Sequence, residues 1–195
     1  MNRITSVSLF FRLVFQAVFI ILPILFILSW IYAPDELVLL AGIIKLNAIP
    51  DTYNGMHVYT LQGMPEKSIL HTLSIGEKTL GCLASAILLL MKMFILYSLI
   101  KLFKLYENKD IFSIKHVKYI RNIGYALLLG QVFEPFYQFI MGLILTLNNP
   151  PHHHYAAITF DQTNIGILLT AFLVILISWV IAEGCKLREE QQFTI

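Results

Sequence analysis

Charged residues are scarce in this sequence. Asp, Glu, Lys and Arg make up 13% of its 195 residues, whereas 57% are hydrophobic, and the formal net charge is +2. A soluble domain carries about twice that fraction of charged residues on its surface. The net charge is also too small to indicate direct nucleic-acid binding. The composition therefore excludes an ordinary soluble domain and predicts an integral membrane protein.

Cysteine is nearly absent, and motifs of catalysis are missing. The only two cysteines, Cys82 and Cys185, form no CxxC or other metal-binding spacing, and we expect them to be small packing residues without a disulfide. The chain contains no HExxH, no GxSxG, no phosphate-binding loop and no glycine-rich dinucleotide turn. We therefore expect neither an enzyme nor a bound cofactor.

Long apolar runs are what the chain has in abundance. A helix needs about 20 apolar residues to cross a bilayer. Four segments meet that length: residues 13–33, 80–102, 120–147 and 165–182. They predict one all-α integral membrane domain over residues 1–195, a bundle of four transmembrane helices. Span ends carry aromatic residues typical of membrane interfaces, namely Trp30, Tyr32, Tyr155 and Trp179.

The distribution of Lys and Arg predicts the orientation, because cytoplasmic segments carry most of these residues. One set of span ends carries Arg3, Arg12, Lys101, Lys104, Lys109, Lys115, Lys118, Arg121, Lys186 and Arg188. The opposite set carries Lys45, Lys67 and Lys78, and residues 148–164 carry none. We therefore expect both termini, the loop 103–119 and the tail 183–195 to face the cytoplasm.

The segment between the first two spans, residues 34–79, is predicted to form an extracytoplasmic cap. Its opening run, residues 36–49, is too short to span and contains Lys45, which favours an interfacial or packed helix. The remainder is rich in turn residues such as Asn54-Gly55. The segment is too small to build a core of its own.

The cytoplasmic loop leads into a helix with a recognisable start. Ser113 is a good N-cap, and Phe112 and Val117 are spaced as a hydrophobic staple, although position 116 is His instead of the acid of a capping box. Lys115, Lys118 and Arg121 recur every three residues on one face of that helix. This basic face is either ordinary cytoplasmic anchoring or a docking surface for anionic lipid or a protein partner.

The same stretch carries a family resemblance. "LYENKDIFSIKHVKYIRNIGYALL" resembles the signature of a bacterial membrane family called domain of unknown function 2975, in which "iFs" or "pFt" precedes a basic helix ending in Arg-x-x-Gly, here Arg121 and Gly124. "LSIGEKTLGCLASAI" and "AEGCKLREEQQFTI" are similar to that family too. The resemblance implies a four-helix inner-membrane protein with no assigned activity. It also implies a partner such as a small helix-turn-helix regulator.

Two ionisable residues fall near the middle of predicted spans, where such side chains usually have a function. They are Lys92 in the second span and Glu134 in the third, and we expect them to pair. Gln131 and Gln138 share a helix face with Glu134, and Pro135 frees the carbonyl of Gln131 from its usual backbone donor. A second candidate pair, near the cytoplasmic ends of spans one and four, is Arg12 with Glu183.

The outer loop "NNPPHHHYAAITFD" raises the question of a metal site. Zinc needs three or four converging ligands, and adjacent residues rarely converge. His152 and His154 could do so if the loop is locally extended, with His57 or Asp161 as a third ligand. The alternatives are a polar outer loop and a pH-sensing loop, because histidine titrates near neutral pH.

Together these patterns favour a small inner-membrane protein that acts as a non-enzymatic signalling, regulatory or interaction component. The first alternative is a transport-related subunit or a homo-oligomeric channel that uses the region of Lys92 and Glu134. The second is an outward-facing metal-binding membrane protein.

Overall fold

Four long helices dominate the computed structural model of the chain. They are α1 (Arg3–Ile31), α2 (Ile75–Glu107), α3 (Ile114–Leu145) and α4 (Gln162–Gln192). The structure describes residues 3–31, 49–53, 56–60, 74–108, 113–149, 154, 156, 158 and 162–192. All four helices are long and apolar enough to cross a membrane, which confirms that part of the predicted fold.

The helices are longer than the spans predicted for them. At 1.5 Å per residue, the 32 residues of α3 extend about 48 Å, whereas the hydrocarbon core of a bilayer is about 30 Å thick. Each helix therefore has turns to spare beyond an apolar core. The placement of the span ends in a membrane stays a prediction.

A two-stranded hairpin makes the all-α prediction incomplete. Strands β1 (Ile49–Tyr53) and β2 (Met56–Thr60) are antiparallel, with Tyr53 opposite Met56. That register leaves two residues, Asn54 and Gly55, to join the strands. Asn-Gly between such strands is the strongest short-range sequence signal for a hairpin, and the sequence analysis did not predict the strands.

Two other predictions involve residues that are not described. One is the interfacial or packed helix predicted from residue 36. The other is the hydrophobic staple at the start of α3, because Phe112 is not described. The extracytoplasmic cap as a whole stays a prediction.

Local capping defines the first turns of α2 and α3. The Ser74 backbone N–H donates to Glu77 Oε2 at 2.8 Å, and the Glu77 N–H donates to Ser74 Oγ at 3.2 Å, a reciprocal capping box. The sequence "SIGE", residues 74–77, has the Ser-x-x-Glu spacing of this motif. At α3, the His116 N–H donates to Ser113 Oγ at 3.4 Å, which confirms the predicted N-cap.

The chain forms two compact units, and each helix except α4 contributes to both. Unit 2 contains residues 22–89 and 132–161. There the indole of Trp30 packs on Gly81, with Met141 beside them, because glycine leaves room for the ring. Trp30 is 6% exposed, so it is a core residue of unit 2, and its predicted position at a membrane interface stays a prediction. Trp179, in unit 1, is exposed.

Unit 1 contains residues 1–21, 90–131 and 162–195. Phe11 and Phe15 of α1 stack on Phe103 of α2, with ring centroids 5.4 and 5.5 Å apart. α3 approaches α4 closely at Gly124, the glycine of the Arg-x-x-Gly pattern, which faces Ala171 and Ile175. Small residues at such contacts let helix backbones approach, the main source of helix association in lipid.

We expect Gly124→Ala to lower the midpoint temperature of thermal unfolding in detergent. The added Cβ would lie 2.6 Å from Ile175 Cγ1, 3.2 Å from the Ile175 backbone N and 3.3 Å from the Ala171 carbonyl O. A side-chain rotation cannot relieve the overlap with backbone atoms, so the cost is about 1–3 kcal/mol.

Gly184→Ala in α4 is the matched control. No atom of the described residues lies within 4 Å of a Cβ at that position, and alanine favours helix over glycine, so we expect an equal or higher midpoint. Equal midpoints for Gly124→Ala and the unsubstituted protein would contradict the close approach of α3 to α4.

Candidate functional site

The buried side of α3 carries the polar residues singled out in the sequence. Gln131 and Glu134 are each 6% exposed, and Gln138 is half-buried. Each of the three makes at least one polar or electrostatic contact. Because an unpaired charge in an apolar interior is costly, a buried carboxyl group at this position marks the first candidate site.

Glu134 lies beside a hydrogen-bonded pair in unit 2 that the sequence did not reveal. The Ser85 hydroxyl donates to the Gly81 carbonyl O at 2.8 Å, so the Tyr137 hydroxyl, 3.1 Å away, donates to Ser85 Oγ. Glu134 precedes Tyr137 by one turn and interacts with it electrostatically. The three-residue spacing of Glu134 and Tyr137 was the signal that could have pointed to this cluster.

Lys92 is half-buried in α2 and also makes a polar or electrostatic contact. It belongs to unit 1, as does Gln131, whereas Glu134 and Gln138 belong to unit 2. The pairing of Lys92 with Glu134 therefore stays a prediction.

Arg12 has a different partner from the one predicted. Its Nη1 lies 2.9 Å from Glu107 Oε2, and both side chains are largely buried in unit 1. Glu183 pairs instead with Lys186 on its own helix at 3.2 Å, and both of these are exposed. The predicted Arg12–Glu183 pair is wrong, because Glu107 at the end of α2 offers Arg12 a carboxylate in a less hydrated setting.

A second contact joins the two ends of the loop between α2 and α3. His116 Nε2 lies 2.6 Å from the Tyr106 hydroxyl, and the two rings meet edge to face with centroids 4.9 Å apart. His116 is buried. The sequence marked His116 only as a missing capping acid, and nothing in its local pattern points to a partner ten residues earlier.

The predicted basic face lies on the exposed side of the same helix start. Lys115, Lys118 and Arg121 are all exposed, whereas His116 and Val117 between them are buried. The sequence from residue 113 to residue 131 contains no Asp or Glu. This face is therefore a patch of positive charge that no acid of its own helix offsets.

The histidine loop lies mostly outside the described residues. His154 is exposed, and its Nδ1 lies 2.7 Å from the Thr146 carbonyl O, so that nitrogen acts as a donor. His152, His153, Asp161 and the side chain of His57 are not described. The described residues hold no group of three or more His, Cys, Asp or Glu side chains that could bind a metal. The metal site stays a prediction.

We expect Arg12→Gln and Glu107→Gln each to lower the free energy of unfolding in detergent. Removing one partner leaves a largely buried charge without its counter-charge, at a cost on the order of 1 kcal/mol. The double variant should lose less than the sum of the two single losses, since the partners act as a pair.

Glu183→Gln is the control, because exposed ion pairs contribute about 0–1 kcal/mol. A loss for Glu183→Gln as large as that for Glu107→Gln, or additive single losses in the double variant, would contradict the assignment of Glu107 as the partner of Arg12.

Comparison with known proteins adds a family without adding an activity. The family model described as "Protein of unknown function (DUF2975)" matches residues 14–195, nearly the whole chain. No curated protein matches the chain. No solved structure matches it either. The match includes the Phe112-Ser113 turn, the Arg-x-x-Gly pattern and the C-terminal segment, so the resemblance seen in the sequence is confirmed and the chain belongs to the DUF2975 family.

Proposed function

We propose that the protein is a non-enzymatic regulatory component of the bacterial cytoplasmic membrane. Its termini and the loop 103–119 face the cytoplasm, in line with the strong bias of Lys and Arg toward those segments. The four long apolar helices anchor the protein in the bilayer. Its partner is a cytoplasmic protein, and the resemblance favours a small helix-turn-helix regulator.

This proposal is supported mainly by polar contacts that hold α1, α2 and α3 together at the end of unit 1 next to the α2–α3 loop. We call this region the braced end. Ser8 Oγ of α1 donates to the Phe103 carbonyl O of α2 at 2.7 Å, close to the Arg12–Glu107 ion pair that joins the same helices. The Tyr106–His116 contact joins α2 to α3. Three helices are thus held together by polar contacts where each emerges from its apolar segment.

Polar contacts between helices, such as these, favour the use of their outer surface for docking a partner. A surface on packed helices keeps its shape, so little ordering entropy is lost when a partner binds. The exposed residues around this end include charged side chains, among them Lys104 of α2 and Lys186 and Arg188 in the last turns of α4, beside apolar ones such as Phe10 and Ile114. Such residues give specificity and a fast approach to a charged partner.

A transport-related subunit or homo-oligomeric channel is the second candidate. It is favoured by the burial of Glu134 and by the Tyr137–Ser85 hydrogen bond beside it. A buried carboxyl group next to hydroxyl groups can hold and release a proton or cation. The metal-binding alternative depends on the outer histidines, of which only His154 is described.

The proposed regulatory role predicts that loss of this protein changes gene expression. We expect deletion of the gene to alter transcription of a defined set of genes, and a plasmid copy to restore it. A copy in which Lys104, Lys186 and Arg188 are replaced by Gln should restore it poorly, because it removes exposed charge from the proposed docking surface.

The control copy carries His152→Ala, His153→Ala and His154→Ala on the outer side and should restore transcription fully. Unchanged transcription together with altered ion uptake or efflux on deletion would favour the transport candidate and overturn regulation. Metal retained by the purified protein and lost with the three histidines would favour the metal-binding alternative.

The predicted Lys92–Glu134 pair has its own test. We expect Lys92→Leu and Glu134→Leu each to reduce the amount of inserted protein, since each leaves one charge without its partner in an apolar setting. The double variant should recover, because it removes both charges. Gln138→Leu, a half-buried neutral neighbour, is the control. Normal insertion of both single variants would show that the two residues do not depend on each other.

A further inference from the structure

The exposed side of the first half of α3 changes character along its length. At 100° per residue, Ile114, Lys118, Arg121, Tyr125 and Leu129 fall within a stripe about 80° wide, and all five are exposed. Lys115 is also exposed and lies about 40° outside this stripe. The opposite side, with His116 and Ile123, is buried. After Ile114, the stripe runs from two cations through an aromatic residue to an aliphatic one.

This order is typical of a helix surface that passes from the lipid headgroups into the hydrocarbon core of a bilayer. Tyrosine prefers the level of the headgroups, where its ring is in apolar surroundings and its hydroxyl in water. Arg121 lies about 6 Å before Tyr125 along the axis and Lys115 about 15 Å before it. Long basic side chains extend toward the interface from such positions, so their charged groups meet the phosphate layer.

Local helix stability does not explain the cations. The start of a helix carries a partial positive charge, which disfavours Lys and Arg there and favours acids. α3 has no acid in its first turn, and Lys115 lies within that turn. Within the described residues, none of the three cations forms an ion pair. Their charge is exposed, so it is accessible to an anion from outside the chain.

We propose that Lys115, Lys118, Arg121 and Tyr125 bind the headgroups of anionic phospholipids in the cytoplasmic leaflet. The inference rests on the proposed function for its orientation only. It assigns this side of α3 to lipid and leaves the braced end, with Lys104 and the end of α4, to the protein partner. Continuity with the exposed apolar residues of the same stripe favours lipid over protein as the occupant.

Native mass spectrometry of the full-length protein in a non-ionic detergent tests this binding. Phosphatidylglycerol and phosphatidylcholine are titrated in parallel, and we expect phosphatidylglycerol to bind about tenfold more tightly. Lys115→Gln, Lys118→Gln and Arg121→Gln together should bring the ratio of the two affinities close to one. The exposed position of these residues predicts an unchanged midpoint temperature of unfolding for this triple variant.

Two further variants separate local binding from net charge. Lys104→Gln, Lys186→Gln and Arg188→Gln together remove the same charge elsewhere and should leave the preference intact. Lys115→Arg, Lys118→Arg and Arg121→Lys together keep the charge and should keep the preference.

Three results would overturn the inference. The first is equal binding of phosphatidylglycerol and phosphatidylcholine by the unsubstituted protein. The second is an unchanged preference for phosphatidylglycerol in the α3 triple-Gln variant. The third is an equal loss of that preference when Lys104, Lys186 and Arg188 are replaced by Gln. If the α3 triple-Gln variant keeps the lipid preference yet loses a cytoplasmic protein partner, this side docks protein, and the proposed function survives without the lipid site. Lipid binding as expected with no transcriptional effect of deletion would instead overturn regulation alone.

Discussion

Apolar surroundings offer no hydrogen-bond partner to a polar side chain, and this constraint applies along each of the four long apolar helices. Many hydroxyl groups meet it locally. Six of them in the described helices donate to a backbone carbonyl three or four residues earlier: Ser29, Thr79, Ser85, Thr146, Thr170 and Ser178. Such groups need no neighbour and carry little information about function. What remains are the few ionisable side chains that cannot satisfy themselves, and these residues mark the candidate sites.

The same constraint explains why the helix contacts depend on glycine. Lipid tails are as apolar as leucine, so burial of apolar side chains drives helix association weakly and close packing must replace it. Gly81 admits the ring of Trp30, and Gly124 admits Ile175. Gly166 and Gly184 have no such neighbour among the described residues. A glycine therefore has a packing role here only where another helix lies against it, and the sequence alone does not separate the two kinds.

The sequence predicted what depends on neighbours in the chain and failed where packing decides. The four helices follow from long apolar runs, and the Ser113 N-cap follows from its position before the third helix. The Ser74–Glu77 capping box and the β1–β2 hairpin also have short-range signals in the sequence. The partner of Arg12 does not. Glu107 and Glu183 both lie near predicted cytoplasmic ends, and only the packing of α1 against α2 favours Glu107. The Tyr106–His116 contact likewise needs the antiparallel approach of α2 and α3.

α3 carries both the proposed lipid-binding residues and the buried carboxyl group of the transport candidate, and its geometry keeps them apart. Thirteen residues separate Arg121 from Glu134, which is about 220° of helical rotation, so the two side chains leave the helix on nearly opposite sides. Arg121 is exposed and Glu134 is buried. Exchange of an exposed cation costs little stability, whereas exchange of a buried carboxyl group disturbs its neighbours. A loss of function on substituting the exposed cations can therefore be assigned to binding, while a loss at Glu134 must first be separated from a loss of fold.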